Sequence, residues 1–211
     1  MVDPAQREAI LRRALTYPYA TPEGAYLYRD GEVEELPGDF DLSGRSPLIS
    51  YGANAAPGAL GLKLAPLPGE PLPALRSQLW GFDVVYSAHV SPYGAVPATL
   101  LESPGTVAPV FVLHPTAEQR ALLTATEPNY HLVQLEGAGV YRSKHGPLEL
   151  DGSPVALAAI RSEGRTLPEL DEPAVLERVR AHLAPELKLE QFVHACIERG
   201  GIKPLPRLTS L

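Results

Sequence analysis

The sequence predicts an α+β fold: a small mixed, mostly antiparallel β-barrel or sheet, closed or nearly closed, with helices packed around it. From Leu48 onward the chain is dominated by runs of β-branched and aromatic residues, broken by turns that carry Gly and Pro. The last third changes character and shows apolar residues at helical spacing. With 211 residues, 45% of them hydrophobic and 20% charged, the chain can bury one good core and carry extensions on it.

Each element has a local reason. Asp3 to Leu15 reads as a first helix, with Asp3 as its cap and Pro4 in the first helical position. Ala25-Tyr26-Leu27-Tyr28 and Glu32-Val33 form a hairpin about the Asp30-Gly31 turn. Pro37 to Pro47 is linker-like, so residues 1–46 read as an N-terminal extension, a helix plus a hairpin, on a core spanning 47–165. Ser46–Tyr51 is the first core strand, and a helix starts at Pro57. Ser77–Tyr86, Val96–Leu101 and Thr106–Leu113 are strands, with Ser103-Pro104-Gly105 joining the last two as a hairpin. Thr116 caps a helix that carries Glu118 in its first turn and stops before Pro128. Strands follow near His131–Leu135 and Val155–Ile160. Residues 166–211 form a helical segment, roughly 172–182 and 188–199, closed by Gly200-Gly201.

Composition narrows the function. The net charge of −7 argues against nonspecific nucleic-acid binding, which needs a basic surface. No apolar run is long enough to span a bilayer, and the N-terminus lacks the pattern of a secretory signal, so a cytoplasmic protein without a membrane partner is expected. The single cysteine, Cys196, lies in a helical apolar pattern and reads as a buried, inert thiol. Six scattered histidines show no metal-binding spacing, so neither a metal nor a cofactor is expected. Proline is abundant, at 23 residues, and arginine outnumbers lysine 14 to 4. Heat adaptation or codon bias accounts for both.

Two segments carry candidate chemistry. The strand Leu48-Ile49-Ser50 runs into a tight turn, Tyr51-Gly52-Ala53-Asn54. Gly and Asn enter positive-φ conformations easily, and such a turn can present several backbone N–H groups to one anion. The second segment is Glu127-Pro128-Asn129-Tyr130, at the end of a helix. Helix C-termini favour cations, so a glutamate there needs another reason, and a general acid/base role is one. An exposed loop glutamate is the plainer alternative.

The order of these motifs resembles that of γ-glutamylcyclotransferase-like proteins, over roughly residues 48–160. That family opens its core with a strand leading into Tyr-Gly-Ser-Asn, matched here by Tyr51, Gly52, Ala53 and Asn54. Its aromatic strand, its Ala-Thr-Leu strand and its Ser-Pro-Gly turn before a Val-rich strand are matched by Phe82–Tyr86, Ala98-Thr99-Leu100 and Ser103-Pro104-Gly105 before Val110-Phe111-Val112. Its catalytic glutamate, at a helix end before a Tyr-containing strand, is matched by Glu127 and by Tyr130 onward. Ala53 stands in place of the usual serine and Pro128 in place of the usual glycine.

The resemblance implies an enzyme that releases 5-oxoproline from a small γ-glutamyl amide, with Glu127 as general acid/base and the Tyr51–Asn54 turn as substrate loop. Tyr86, Tyr130 and Tyr141 are further pocket candidates. His89, near Ser87, lacks an acidic partner and reads as a pocket-lining group at most. The alternatives are a non-catalytic small-molecule binding module on the same fold, a related amide-cleaving enzyme, or an assembly domain whose C-terminal helices form a homodimer.

Overall fold

The protein is described by a computed structural model covering residues 4–209. Among these residues, five α-helices surround a mixed, mostly antiparallel nine-stranded sheet, with a separate two-stranded sheet beside it. In chain order the elements are α1 (Pro4–Leu15), β1 (Tyr26–Arg29), β2 (Glu32–Glu35), β3 (Leu48–Ser50), α2 (Pro57–Leu64), β4 (Leu72–Tyr86) and β5 (Ala98–Leu113). Then come α3 (Ala117–Ala125), β6 (Tyr130–Leu135), β7 (Ala138–Ser143), β8 (Glu149–Leu150), β9 (Ser153–Pro154), β10 (Ala156–Leu157), β11 (Glu169–Leu170), α4 (Glu172–Leu183) and α5 (Leu189–Glu198). The expected Asp3 cap lies outside the described residues. Among those residues no helix is long and apolar enough to cross a membrane.

The sheet runs β11-β10-β4-β5-β3-β7-β6, with the β1–β2 hairpin attached to β4 through β1. It does not close into the expected barrel. Its ends, β11 and β6, do not pair, and β10 and β11 contribute only two residues each, too few bonds to seal a cylinder. Its frame is the long β4–β5 ribbon. Trp80 pairs with Val107 and Phe82 with Glu102, so Gly81 faces the excursion 103–106. Gly81 and Gly105, at φ +77° and +87°, take the left-handed conformations this irregularity requires. Ser103-Pro104-Gly105 is therefore a bulge inside one strand and not the expected hairpin: both flanking halves pair with β4, not with each other.

β3 lies between β5, to which it is antiparallel, and β7, to which it is parallel. Leu48, Ile49 and Ser50 are all buried, as a strand covered on both faces must be. Its C-terminal end is the point where the Tyr51 turn emerges, beside β7. Helix α3 begins with a reciprocal cap: the Thr116 hydroxyl accepts from Gln119 N, and Gln119 Oε1 accepts from Thr116 N. Helix α2 packs on α3, while α1 packs on α4 and α5. The expected strand at 155–160 shrinks to Ala156–Leu157. The Leu157 and Ile160 carbonyls accept instead from the Arg165 guanidinium, itself gripped by fully buried Asp83 at 2.8 and 2.9 Å.

Candidate active site

A cavity of about 360 Å³ lies where the Tyr51 turn meets the end of α3. Tyr51, Gly52, Ala53, Asn54, Glu127, Tyr130 and Tyr141 all line it. Tyr86 does not. Its side chain is buried at the end of β4, and its hydroxyl donates to the Leu170 carbonyl at 3.1 Å, beside the start of α4.

The turn is built from the strand outward. Tyr51 is buried and donates its hydroxyl to the Tyr141 carbonyl, tying β3 to β7. Gly52 is needed for space and not for a positive φ: its φ is −135° and its ψ −143°. A Cβ there would stand 2.6 Å from the Tyr17 hydroxyl. Residues 53–55 form one 3₁₀ turn, closed by Ala55 N to Gly52 O and Ala56 N to Ala53 O, each 3.0 Å. The N–H groups of Ala53 and Asn54 begin this turn and find no acceptor among the described residues.

Glu127 follows the C-cap of α3 and is 15% exposed. Its Oε1 accepts from Asn54 Nδ2 at 3.0 Å and from Lys63 Nζ at 2.6 Å. Lys63 also donates to Asn54 Oδ1 at 2.7 Å, which closes a three-membered ring of contacts. This explains a carboxylate at the unfavourable end of a helix dipole. Lys63 sits in the last turn of α2, where a cation is favoured, and its charge offsets both the dipole of α3 and the carboxylate. Oε2 has no hydrogen-bond partner among the described residues, and Glu127 lines the cavity, so one carboxylate oxygen is open to a ligand. Pro128 leaves Glu127 aimed at Asn54, and its carbonyl accepts from Lys144 Nζ at 2.8 Å.

The opposite wall is aromatic. The Tyr17 hydroxyl accepts from Ala98 N at 2.8 Å, and the Tyr130 hydroxyl donates to Ala98 O at 2.8 Å. Tyr93 stacks on Tyr17 with centroids 6.5 Å apart. Burial holds the phenols of Tyr17, Tyr51, Tyr93 and Tyr130 above their ordinary range, so these rings face the cavity as neutral groups.

His89 is buried on the same wall. Its Nδ1 lies 2.8 Å from Ser87 Oγ, and its ring packs on His145 with centroids 4.9 Å apart. Burial, aided by His145 and Lys203, lowers its pKa to about 3, so it stays neutral at physiological pH. Ser87 is fully buried and does not line the cavity, which leaves the pair no route to a substrate. A larger, open groove of about 1100 Å³ meets the cavity at Tyr17, Ser50, Tyr51 and Gly52 and runs past Arg76, Trp80 and Arg161.

Sequence reasoning missed Lys63, Tyr17, Arg13 and Tyr93. For Lys63 a signal existed, since it is the one charged residue of α2 and lies one helix after the turn. The other three come from outside the motif segments, and nothing in their local sequence points to the site. Comparison with family models, curated proteins and solved structures finds no match to this chain.

Proposed function

We propose that the protein is a γ-glutamylcyclotransferase-like enzyme, with the fold of that family in an open-sheet form, that releases 5-oxoproline from a small γ-glutamyl amide. One observation carries this reading: Glu127 Oε1 meets Asn54 Nδ2 at 3.0 Å, which joins two motifs 73 residues apart across one cavity.

The chemistry follows from the free oxygen. A substrate α-ammonium docks on Glu127 Oε2, which takes one of its protons. The freed amine attacks the γ-carbonyl carbon and closes a five-membered ring. The carbonyl oxygen gains negative charge, which the Ala53 and Asn54 N–H groups stabilise. The tetrahedral carbon then releases its original nitrogen. Glu127 gives that nitrogen the proton as its bond to carbon breaks. The ring nitrogen returns its second proton to the Glu127 carboxylate, which passes it to the departing amine, and 5-oxoproline and an ammonium leave. The nucleophile belongs to the substrate, so the protein's task is positioning and proton transfer. Lys63 and Asn54 serve this by fixing the Glu127 rotamer through Oε1.

The test is incubation of the protein with a panel of γ-glutamyl amines and dipeptides, with 5-oxoproline read by mass spectrometry. We expect product from the parent and a loss of about 10²–10⁴-fold in Glu127→Gln. Equal turnover by the two proteins would sink the assignment.

A second reading, a small-molecule binding module, is favoured by one feature: Glu127 Oε1 is already occupied by Lys63 and Asn54. Saturable binding of the same compounds without product would select it.

A further inference from the structure

We propose that Arg13, carried by α1, recognises a carboxylate of the substrate, so that the segment preceding the sheet forms part of the binding site. This rests on the γ-glutamyl reading above and adds to it the charge and the polarity of the bound molecule.

Arg13 lines the same cavity as Glu127. Its guanidinium lies over the Tyr93 ring, 5.4 Å from the centroid. Tyr93 stacks on Tyr17, and Tyr17 is fixed by the Ala98 N–H. The cation therefore rests on a held aromatic platform, which orients its planar fork, and the Tyr19 hydroxyl lies beside it. Its helix is anchored next to it by Ala14, which is fully buried.

Two neighbouring cations are paired. Arg12 meets Glu8 at 2.9 Å, and Lys63 meets Glu127 at 2.6 Å. Arg13 has no carboxylate in ion-pair reach among the described residues, in a chain with 25 acidic against 18 basic residues. A second observation points the same way. Ser50, where the cavity meets the groove, is 4% exposed, and its hydroxyl has no hydrogen-bond partner among the described residues. A buried hydroxyl without a partner costs free energy that a ligand's oxygen would recover. A guanidinium without a carboxylate partner and an orphaned hydroxyl, both lining the same cavity, match a carboxylate, which accepts from both. The cavity is then bipolar: its Glu127 end takes an ammonium and its Arg13 end a carboxylate.

A γ-glutamyl amino acid offers two carboxylates, one on the glutamyl unit and one on the leaving amino acid. The probes are therefore γ-glutamylalanine and its two mono-carboxamides, titrated calorimetrically into Glu127→Gln protein, which does not consume them. We expect Arg13→Gln to weaken γ-glutamylalanine about tenfold or more, and Arg13→Lys, which keeps the charge without the fork, to weaken it less. The carboxamide on which Arg13→Gln has no effect identifies the carboxylate recognised. Equal affinities with and without Arg13, an equal loss for all three probes, or no binding of γ-glutamylalanine at millimolar concentration by either Glu127→Gln or parent protein would each overturn the proposal. Absence of 5-oxoproline from the parent together with a carboxylate-specific Arg13 effect would refute the enzymatic reading alone.

Discussion

Gly52→Ala tests the packing of the substrate turn. The added Cβ would lie 2.6 Å from the Tyr17 hydroxyl but 3.7 Å from the ring carbon that bears it, an ordinary contact. The clash is therefore with one oxygen, and relieving it moves that oxygen by the better part of an ångström. The oxygen cannot move freely. It accepts from Ala98 N at 2.8 Å, and its ring is flanked by Tyr93 and by Tyr19, whose centroid is 5.7 Å away. Overpacking costs about 1–3 kcal/mol, and stranding a buried N–H costs about 1–3 kcal/mol. We expect the substitution to cost about 2–4 kcal/mol, or roughly 5–15 °C in Tm for a chain of this size. Thermal and urea unfolding would measure it. The decisive arm is a double-mutant cycle with Tyr17→Phe, which removes the oxygen. In that background Gly52→Ala should cost under about 1 kcal/mol, a coupling of the size expected for residues in contact. The same cost in both backgrounds would refute the reasoning.

Two further tests bear on the support around the site. Glu172 is buried at the start of α4, where Oε1 accepts from Val96 N at 2.7 Å and Oε2 has no partner. Burial raises its pKa well above the usual carboxylate range, so the folded state holds this proton more tightly than the unfolded state. Its contribution is full at low pH and is lost as pH rises from the ordinary carboxylate value through the folded one. Glu172→Gln should therefore raise Tm near pH 8 and leave it unchanged near pH 4.5; a pH-independent difference between parent and variant would contradict this. Asp83→Asn leaves the Arg165 guanidinium, whose side chain is 7% exposed, with only half-exposed Glu169 at 2.6 Å as carboxylate partner among the described residues, and should cost about 3 kcal/mol in urea unfolding. Asp83→Leu combined with Arg165→Met should recover most of that loss, and a single-variant cost below about 1 kcal/mol would argue against the pair.

What the sequence made legible followed local chemistry. The Thr116 cap, Pro57 at the start of α2 and the Gly200-Gly201 end of α5 need only their neighbours to act, and all three are found. Errors arose where a local signal has two tertiary outcomes. Pro104-Gly105 breaks a strand either way, but only the length of β4 decides that both halves continue along one partner. Strand β7 went unread because its hairpin turn places Glu136 at φ +51° before Gly137, and glutamate is not a usual residue there. The 155–160 strand failed because Arg165 captures carbonyls that a neighbouring strand would otherwise bond. In the site, residues adjacent in sequence were legible, while Lys63 and Arg13 reach it from separate helices whose docking no short pattern encodes.

The ends of the chain converge on the site. Tyr17 from one end caps Ala98 N–H and covers Gly52, while Lys203 from the other donates to Asn129 Oδ1 at 2.9 Å, two residues past Glu127. A chain could inherit residues 47–165 intact, with the turn and the glutamate in register, and still lack Arg13 and Tyr17 from the pocket lining and the Lys203 bond behind Asn129. Ligand preference in such proteins would then diverge by exchange of terminal segments, with the central motif held constant. The motif would report the reaction, and the termini the molecule on which it is carried out.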